Sequence, residues 1–191
     1  MKSKSQHPSE LCERFARILD STPSVVNGVC TAVRSRSNIH PVVLGRKAES
    51  LMFLPHAFSF ESMDSEGRAL CIGETVVLQK EINPFISVLR EHGIIVNAIH
   101  NHWLFDKPRL MYMHFESIDE PLSFARKVRD AVKELTTDQV GAAPKVHTHE
   151  FDVTGLCDKF NDLLGGTIHT VENGICTVMG LRTEINAVVL G

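Results

Sequence analysis

The stretch Ile94-Ile95-Val96-Asn97-Ala98-Ile99-His100-Asn101-His102-Trp103 decides the fold, because a buried-strand run feeds directly into two alternating histidines. Working backwards, Asn83-Pro84 opens a helix over about Pro84 to Glu91 that Gly93 stops, since proline is tolerated in a first turn and glycine just past a last one. The segment Arg68 to Gln79 before it is rich in strand formers. Working forwards, Leu110 to Phe115 reads as a returning strand. Asp119-Glu120-Pro121 then starts a helix that runs to about Leu135, with Leu122, Ala125, Val128, Val132 and Leu135 turned inward. The order is β-α-β-β-α, most of a split β-α-β unit, and the fold class predicted is α+β with a largely antiparallel sheet.

Towards the N-terminus the pattern predicts a β-meander. Ser9 caps a helix over about Glu10 to Leu19, with Leu11, Phe15, Ile18 and Leu19 on one face. Asn27-Gly28 is a turn signal, after which Val29 to Arg34 and Ile39 to Leu44 read as paired strands. Ala57 to Met63 alternates in strand fashion, and Asp64-Ser65-Glu66-Gly67 turns the chain. This entry recurs late in the chain. Leu11-Cys12-Glu13-Arg14-Phe15 returns as Leu156-Cys157-Asp158-Lys159-Phe160, Asn27-Gly28-Val29-Cys30-Thr31 as Asn173-Gly174-Ile175-Cys176-Thr177, and Val42-Val43-Leu44-Gly45 as Val188-Val189-Leu190-Gly191. The organisation expected is a full unit over residues 1–140, a linker over 141–151, and a partial repeat of residues 10–45 over 152–191. A piece with one helix and one hairpin is too small to bury a core alone, so the expectation is that it packs on the first unit or on a dimer mate.

With 191 residues, 43% of them apolar and 23% charged, the chain can bury a substantial core. A formal charge of −3 and the lack of long Lys/Arg runs argue against nucleic acid or an anionic membrane as the main partner, although a local basic patch is compatible with them. No apolar run has membrane-spanning length, and the opening leads into an amphipathic helix rather than a secretory apolar region, so a cytoplasmic protein is the expectation. The five cysteines, Cys12, Cys30, Cys71, Cys157 and Cys176, include no Cys-x-x-Cys pair and are odd in number, which reads as reduced thiols among apolar neighbours rather than a disulfide framework.

Chemistry is expected at the histidines. In a strand His100 and His102 point the same way, and a return strand beginning near Arg109 brings His114 towards them. Three imidazoles on one face suggest a divalent metal, zinc ahead of iron or nickel. Glu81, at a strand–helix junction, is the expected fourth ligand or general base. Glu116 shares the face of His114, and Arg109 offers a guanidinium to a carboxylate or phosphate. Trp103, Phe105 and Tyr112 either wall a pocket or pack in the core. His147-Thr148-His149-Glu150 also has ligand-bearing residues, but falls in the expected linker.

Gly73-Glu74 with Glu81-Ile82-Asn83-Pro84, Leu89, Gly93, His100-Asn101-His102, Pro108-Arg109 and His114-Phe115 together resemble the LppY/LpqO family of bacterial domains, over roughly Val26 to Leu135 and again from Asp152 to Gly191. The resemblance implies tandem domains and export in many members, and no particular reaction. From the residues, the reading is a small metal-dependent enzyme or a metal-supported binder of a small polar or anionic ligand. The alternative is a non-catalytic interaction module in which the histidines only order the hairpin; a homodimer fits either.

Overall fold

A computed structural model describes residues 7–141, 153–166, 168–172, 174–180, 182, 184, 185 and 188. The described residues divide into two compact bodies, a larger one over 7–141 and a smaller one from 153 onwards. Apart from Gly141, the expected linker and the residues His147 to Glu150 lie outside the described residues.

In the larger body helix α1 (Glu10–Ile18) begins where its cap predicts: the Ser9 hydroxyl accepts from the Cys12 backbone N–H at 3.2 Å. Strand β1 (Thr22–Val26) follows and turns into β2 (Val29–Ser35) through Asn27 and Gly28, at φ 51° and 81°. Two successive left-handed residues are what a two-residue hairpin turn requires. The expected partner of β2, Ile39 to Leu44, is corrected here. That stretch forms only β3 (Val42–Val43), which pairs with β4 (Arg46–Lys47), while Ile39 bridges Val140. The true partner β1 contains Pro23, which reads as a helix exit but is tolerated because β1 is an edge strand.

Strands β5 (Pro55–Glu61) and β6 (Ala69–Leu78) complete the meander. A 3₁₀ turn (Gln79–Glu81) and helix α2 (Ile82–Glu91) lead to β7 (Ile95–His100), then β8 (Leu110–Asp119) and helix α3 (Pro121–Val132). The sheet order is β1-β2-β5-β6-β8-β7 with every neighbouring pair antiparallel, so β6 and β7 run parallel with β8 between them. This is the split β-α-β arrangement in an α+β fold.

Strand alternation sorts the side chains. Phe58, Cys71, Val77, Met113 and Phe115 join Phe15, Phe85, Leu89, Phe124 and Val128 of the three helices in the main core. Gly73 lies on that face under the Phe115 ring; a Cβ there would stand 2.2 Å from a ring carbon, so only glycine fits. The opposite face carries no helix in this body. At one end of it Val76, Leu78, Leu110 and Tyr112 pack under the loops that contribute Ile39, Phe53 and Leu54. Further along, His114 and Glu74 stand side by side in register.

The cysteine expectation is overturned. Cys12 and Cys30 are disulfide-bonded, with Cα atoms 5.7 Å apart, because α1 packs on the sheet face to which Cys30 points. In the smaller body, helix α4 (Thr154–Leu164) and the antiparallel hairpin of β9 (Ile168–Glu172) and β10 (Ile175–Met179) carry a second disulfide, Cys157–Cys176. Cys71 alone is a free thiol. It is buried, and burial with Asp119 and Glu120 nearby pushes its pKa up to about 12, so it is inert as expected. No helix is long and apolar enough to cross a membrane among the described residues.

Candidate metal centre

The site stands on the helix-free face of the sheet, built by three adjacent strands. Edge strand β7 delivers His100, which pairs with Tyr112 of β8; one step along β8, His114 lies opposite Ala98 on one side and Glu74 of β6 on the other. His100 and His114 are therefore diagonal neighbours, within reach for two imidazoles. The small Ala98 leaves the space beside His114 open to them. His102 follows β7 by two residues and turns over Tyr112, their rings stacked at 3.5 Å between centroids.

The ligand-capable nitrogens of His100, His102 and His114 all lie within 4.8 Å of one another. The Nε2 atoms of His100 and His114 are 3.0 Å apart. That contact is a hydrogen bond between the two rings, and since two nitrogens bound to one tetrahedral zinc stand roughly 3.3 Å apart, seating an ion would replace the shared proton with only a small movement of the rings. The two β7-side rings are exposed and can close on a cation from solvent. The three histidines could hold a metal ion.

The platform beneath is rigid. Tyr112, fully buried, donates its hydroxyl to the Phe53 carbonyl at 2.7 Å and accepts from Trp103 Nε1 at 3.1 Å, while Phe53 and Trp103 stack at 4.8 Å. Burial drives the Tyr112 pKa up, so it stays a neutral phenol. Stacking on Tyr112 orients the His102 ring, and Glu74 Oε1 lies 3.8 Å from His102 Nε2. The His102 pKa is lowered, first by burial and then by the neighbouring histidines against the opposing pull of Glu74. A neutral imidazole is the metal-binding form.

Of the expected participants, the structure brings the three histidines together and leaves Glu81 and Glu116 outside the set. Glu81, expected as fourth ligand or base, is instead engaged by other partners. Each of its carboxylate oxygens is doubly occupied, one by Arg36 and the Thr136 N–H, the other by Arg36 and the Leu78 N–H, at 2.6 to 2.8 Å. Burial works against its charge, but these donors win and hold its pKa below the usual 4.5. Arg109 is exposed, with Nε 3.7 Å from Asp106 Oδ1. Glu116 is buried on the His114 face, two residues farther along β8 and also outside the set. Trp103 and Tyr112 prove to be packing residues, whereas Phe105 is exposed. The carboxylate that does reach the site, Glu74, was hidden because its position depends on the β6–β8 register, which strand alternation alone does not supply.

No curated protein and no solved structure matches the chain. The family model DUF1529, described as Domain of Unknown Function (DUF1259), matches residues 13–134, a span from α1 to the end of α3 that includes all three histidines and Glu74. The chain belongs to that family.

Proposed function

We propose that this protein is a metal-dependent small enzyme or metal-supported ligand binder, with His100, His102 and His114 as ligands of one divalent ion and zinc the first candidate. The observation that carries the reading is the convergence of three imidazole nitrogens within 4.8 Å of one another. Bound there, the ion would supply Lewis-acid chemistry to an oxygen-bearing ligand. Glu74 lies beside His102 at 3.8 Å and is placed to accept a proton from a ligand on that face. Tyr112 and Trp103 fix the ring of His102 from below. The two disulfides favour an oxidising compartment over the cytoplasm expected from the sequence. The recurrence of helix, hairpin and bonded cysteine pair supports reading residues 152–191 as a partial repeat of residues 10–45.

Metal analysis of protein purified without a polyhistidine tag tests this. The expected result is one ion per chain, lost in His100→Ala, His102→Ala and His114→Ala with circular dichroism unchanged, and retained in Glu81→Gln. A metal content equal in wild type and all three alanine variants would remove the proposal and favour the interaction module.

A further inference from the structure

Three loops cap the end of the sheet beside the histidines, and their tips are apolar where surface loops are usually polar. Leu44 is 88% exposed, Met52 63%, Leu104 71% and Phe105 76%. The loops share one footing. The Phe53–Trp103 stack puts Met52 and Leu104, their chain neighbours, at one contact. The antiparallel Val42–Lys107 bridge, with its 3.0 Å backbone hydrogen bond, runs the two chains towards Leu44 and Phe105 at the same end. Cations flank these tips: Arg46 and Lys107 are exposed and have no acidic partner among the described residues, while Lys47 pairs with Glu49. Asp106, the one acid within the 101–109 loop, is buried and turned inward to the Leu110 N–H.

We propose that this loop cluster is an interfacial membrane-binding surface that inserts Leu44, Met52, Leu104 and Phe105 among lipid headgroups and engages anionic phosphates with Arg46 and Lys107. Single exposed apolar residues are unremarkable, but four at the tips of loops anchored to one another make a contiguous patch that soluble surfaces avoid. Charge selects the partner. An apolar protein groove would leave the cations unsatisfied, whereas an anionic bilayer surface takes both the apolar tips and the flanking positive charge. The chain's net charge of −3 does not reveal this, because within the loops Glu49 is paired with Lys47 and Asp106 is buried, which leaves Arg46 and Lys107 as the unpaired charges. Met52 precedes Phe53, whose carbonyl accepts from the Tyr112 hydroxyl beneath the His102 ring, so a bound bilayer would lie next to the candidate metal centre.

The single tryptophan, Trp103, lies inside the cluster and reports on it. Full-length protein is titrated with vesicles of phosphatidylcholine alone and of phosphatidylcholine mixed with phosphatidylglycerol, following Trp103 emission and co-sedimentation. The expected result is a blue shift and sedimentation with the anionic vesicles. Binding should weaken by about thirtyfold in Arg46→Glu/Lys107→Glu, since each lost cation removes roughly a factor of five even before repulsion is counted. It should weaken by at least about tenfold in Leu104→Ser/Phe105→Ser, a pair exposed enough to change without unfolding the chain. The measurement needs no metal, so its outcome is separate from that of the metal centre. Equal binding to both vesicle types, binding that both double variants retain, or no binding to either vesicle overturns the proposal.

Discussion

Arg36 and Glu81 are each almost fully removed from water and joined by a bidentate pair that also holds the Val76 and Thr136 carbonyls and the Leu78 and Thr136 N–H groups. A buried pair of this kind stabilises less than it commits: losing one partner leaves the other charge stranded. Glu81→Ala should lower stability by about 3–5 kcal/mol in chemical denaturation; a loss below about 1 kcal/mol would show that Arg36 finds water instead. Metal content should be unaffected in the folded fraction, which separates a structural carboxylate from a catalytic one. His56 gives a second residue-level test. It is buried, its Nδ1 is 3.3 Å from Thr75 Oγ1, and burial together with the nearby Arg34 and Arg36 drives its pKa well below 6.5. Below that pH the unfolded chain takes up a proton that the folded chain refuses, so stability falls with acidity by up to about 1.4 kcal/mol per pH unit, and His56 contributes nothing to the pH dependence above it. Glu81 acts in a lower window, its stabilisation lost as pH falls below 4.5. His56→Gln should flatten the stability profile between about pH 6.5 and 5; an unchanged slope there would assign it to another group.

At the level of elements, the close approach of β6 and β8 under the Phe115 ring makes a sharp claim about one glycine. Gly73→Ala places a Cβ within 2.2 Å of that ring, which is itself packed against Phe58, Phe85 and Phe124 and has nowhere to go. The cost should be about 1–3 kcal/mol, read as a lower denaturation midpoint at unchanged slope; a neutral result would mean that the strands can separate locally. The β6-α2-β7-β8-α3 succession was legible in the sequence because Pro84, Gly93 and Pro121 punctuate it and each run keeps one period. The placement of β1 was not, since a short strand with a proline after a helix carries no local strand signal. His100, His102 and His114 could be read as neighbours from alternation and one return. Glu74 and Arg36 could not. Glu74 meets the site only through the β6–β8 register, and Arg36 meets Glu81 across a sequence separation of 45. Pairing between distant strands is set by the packed whole, and no window of sequence contains it.

For the whole molecule, the cysteines carry the clearest consequence. Cys12 and Cys157 recur at one helical position and Cys30 and Cys176 at one strand position, so the paired recurrence was itself the disulfide signal, more telling than the odd total or the missing Cys-x-x-Cys. Each bond closes a loop of similar length, with sequence separations of 18 and 19, and loops of that size are worth about 3 kcal/mol through the unfolded state. The same contribution matters differently in the two bodies. The larger has a core of buried aromatic and aliphatic side chains from six strands and three helices, and can spare one cross-link. Among its described residues the smaller has one helix, one hairpin and Cys157 as the buried member of α4, with Leu156, Leu163 and Leu164 well exposed, so its bond ties the helix to the hairpin where few buried side chains do. Mild reduction without denaturant should therefore raise amide exchange in α4, β9 and β10 towards unstructured rates, while β5, β6 and β8 keep their protection. Mass spectrometry of exchanged peptides, with thiol counting before and after reductant, reads both parts at once. Five free thiols in the untreated protein would rule out the disulfides, and equal loss of protection in the two bodies would show that the larger one depends on its cross-link as heavily as the smaller.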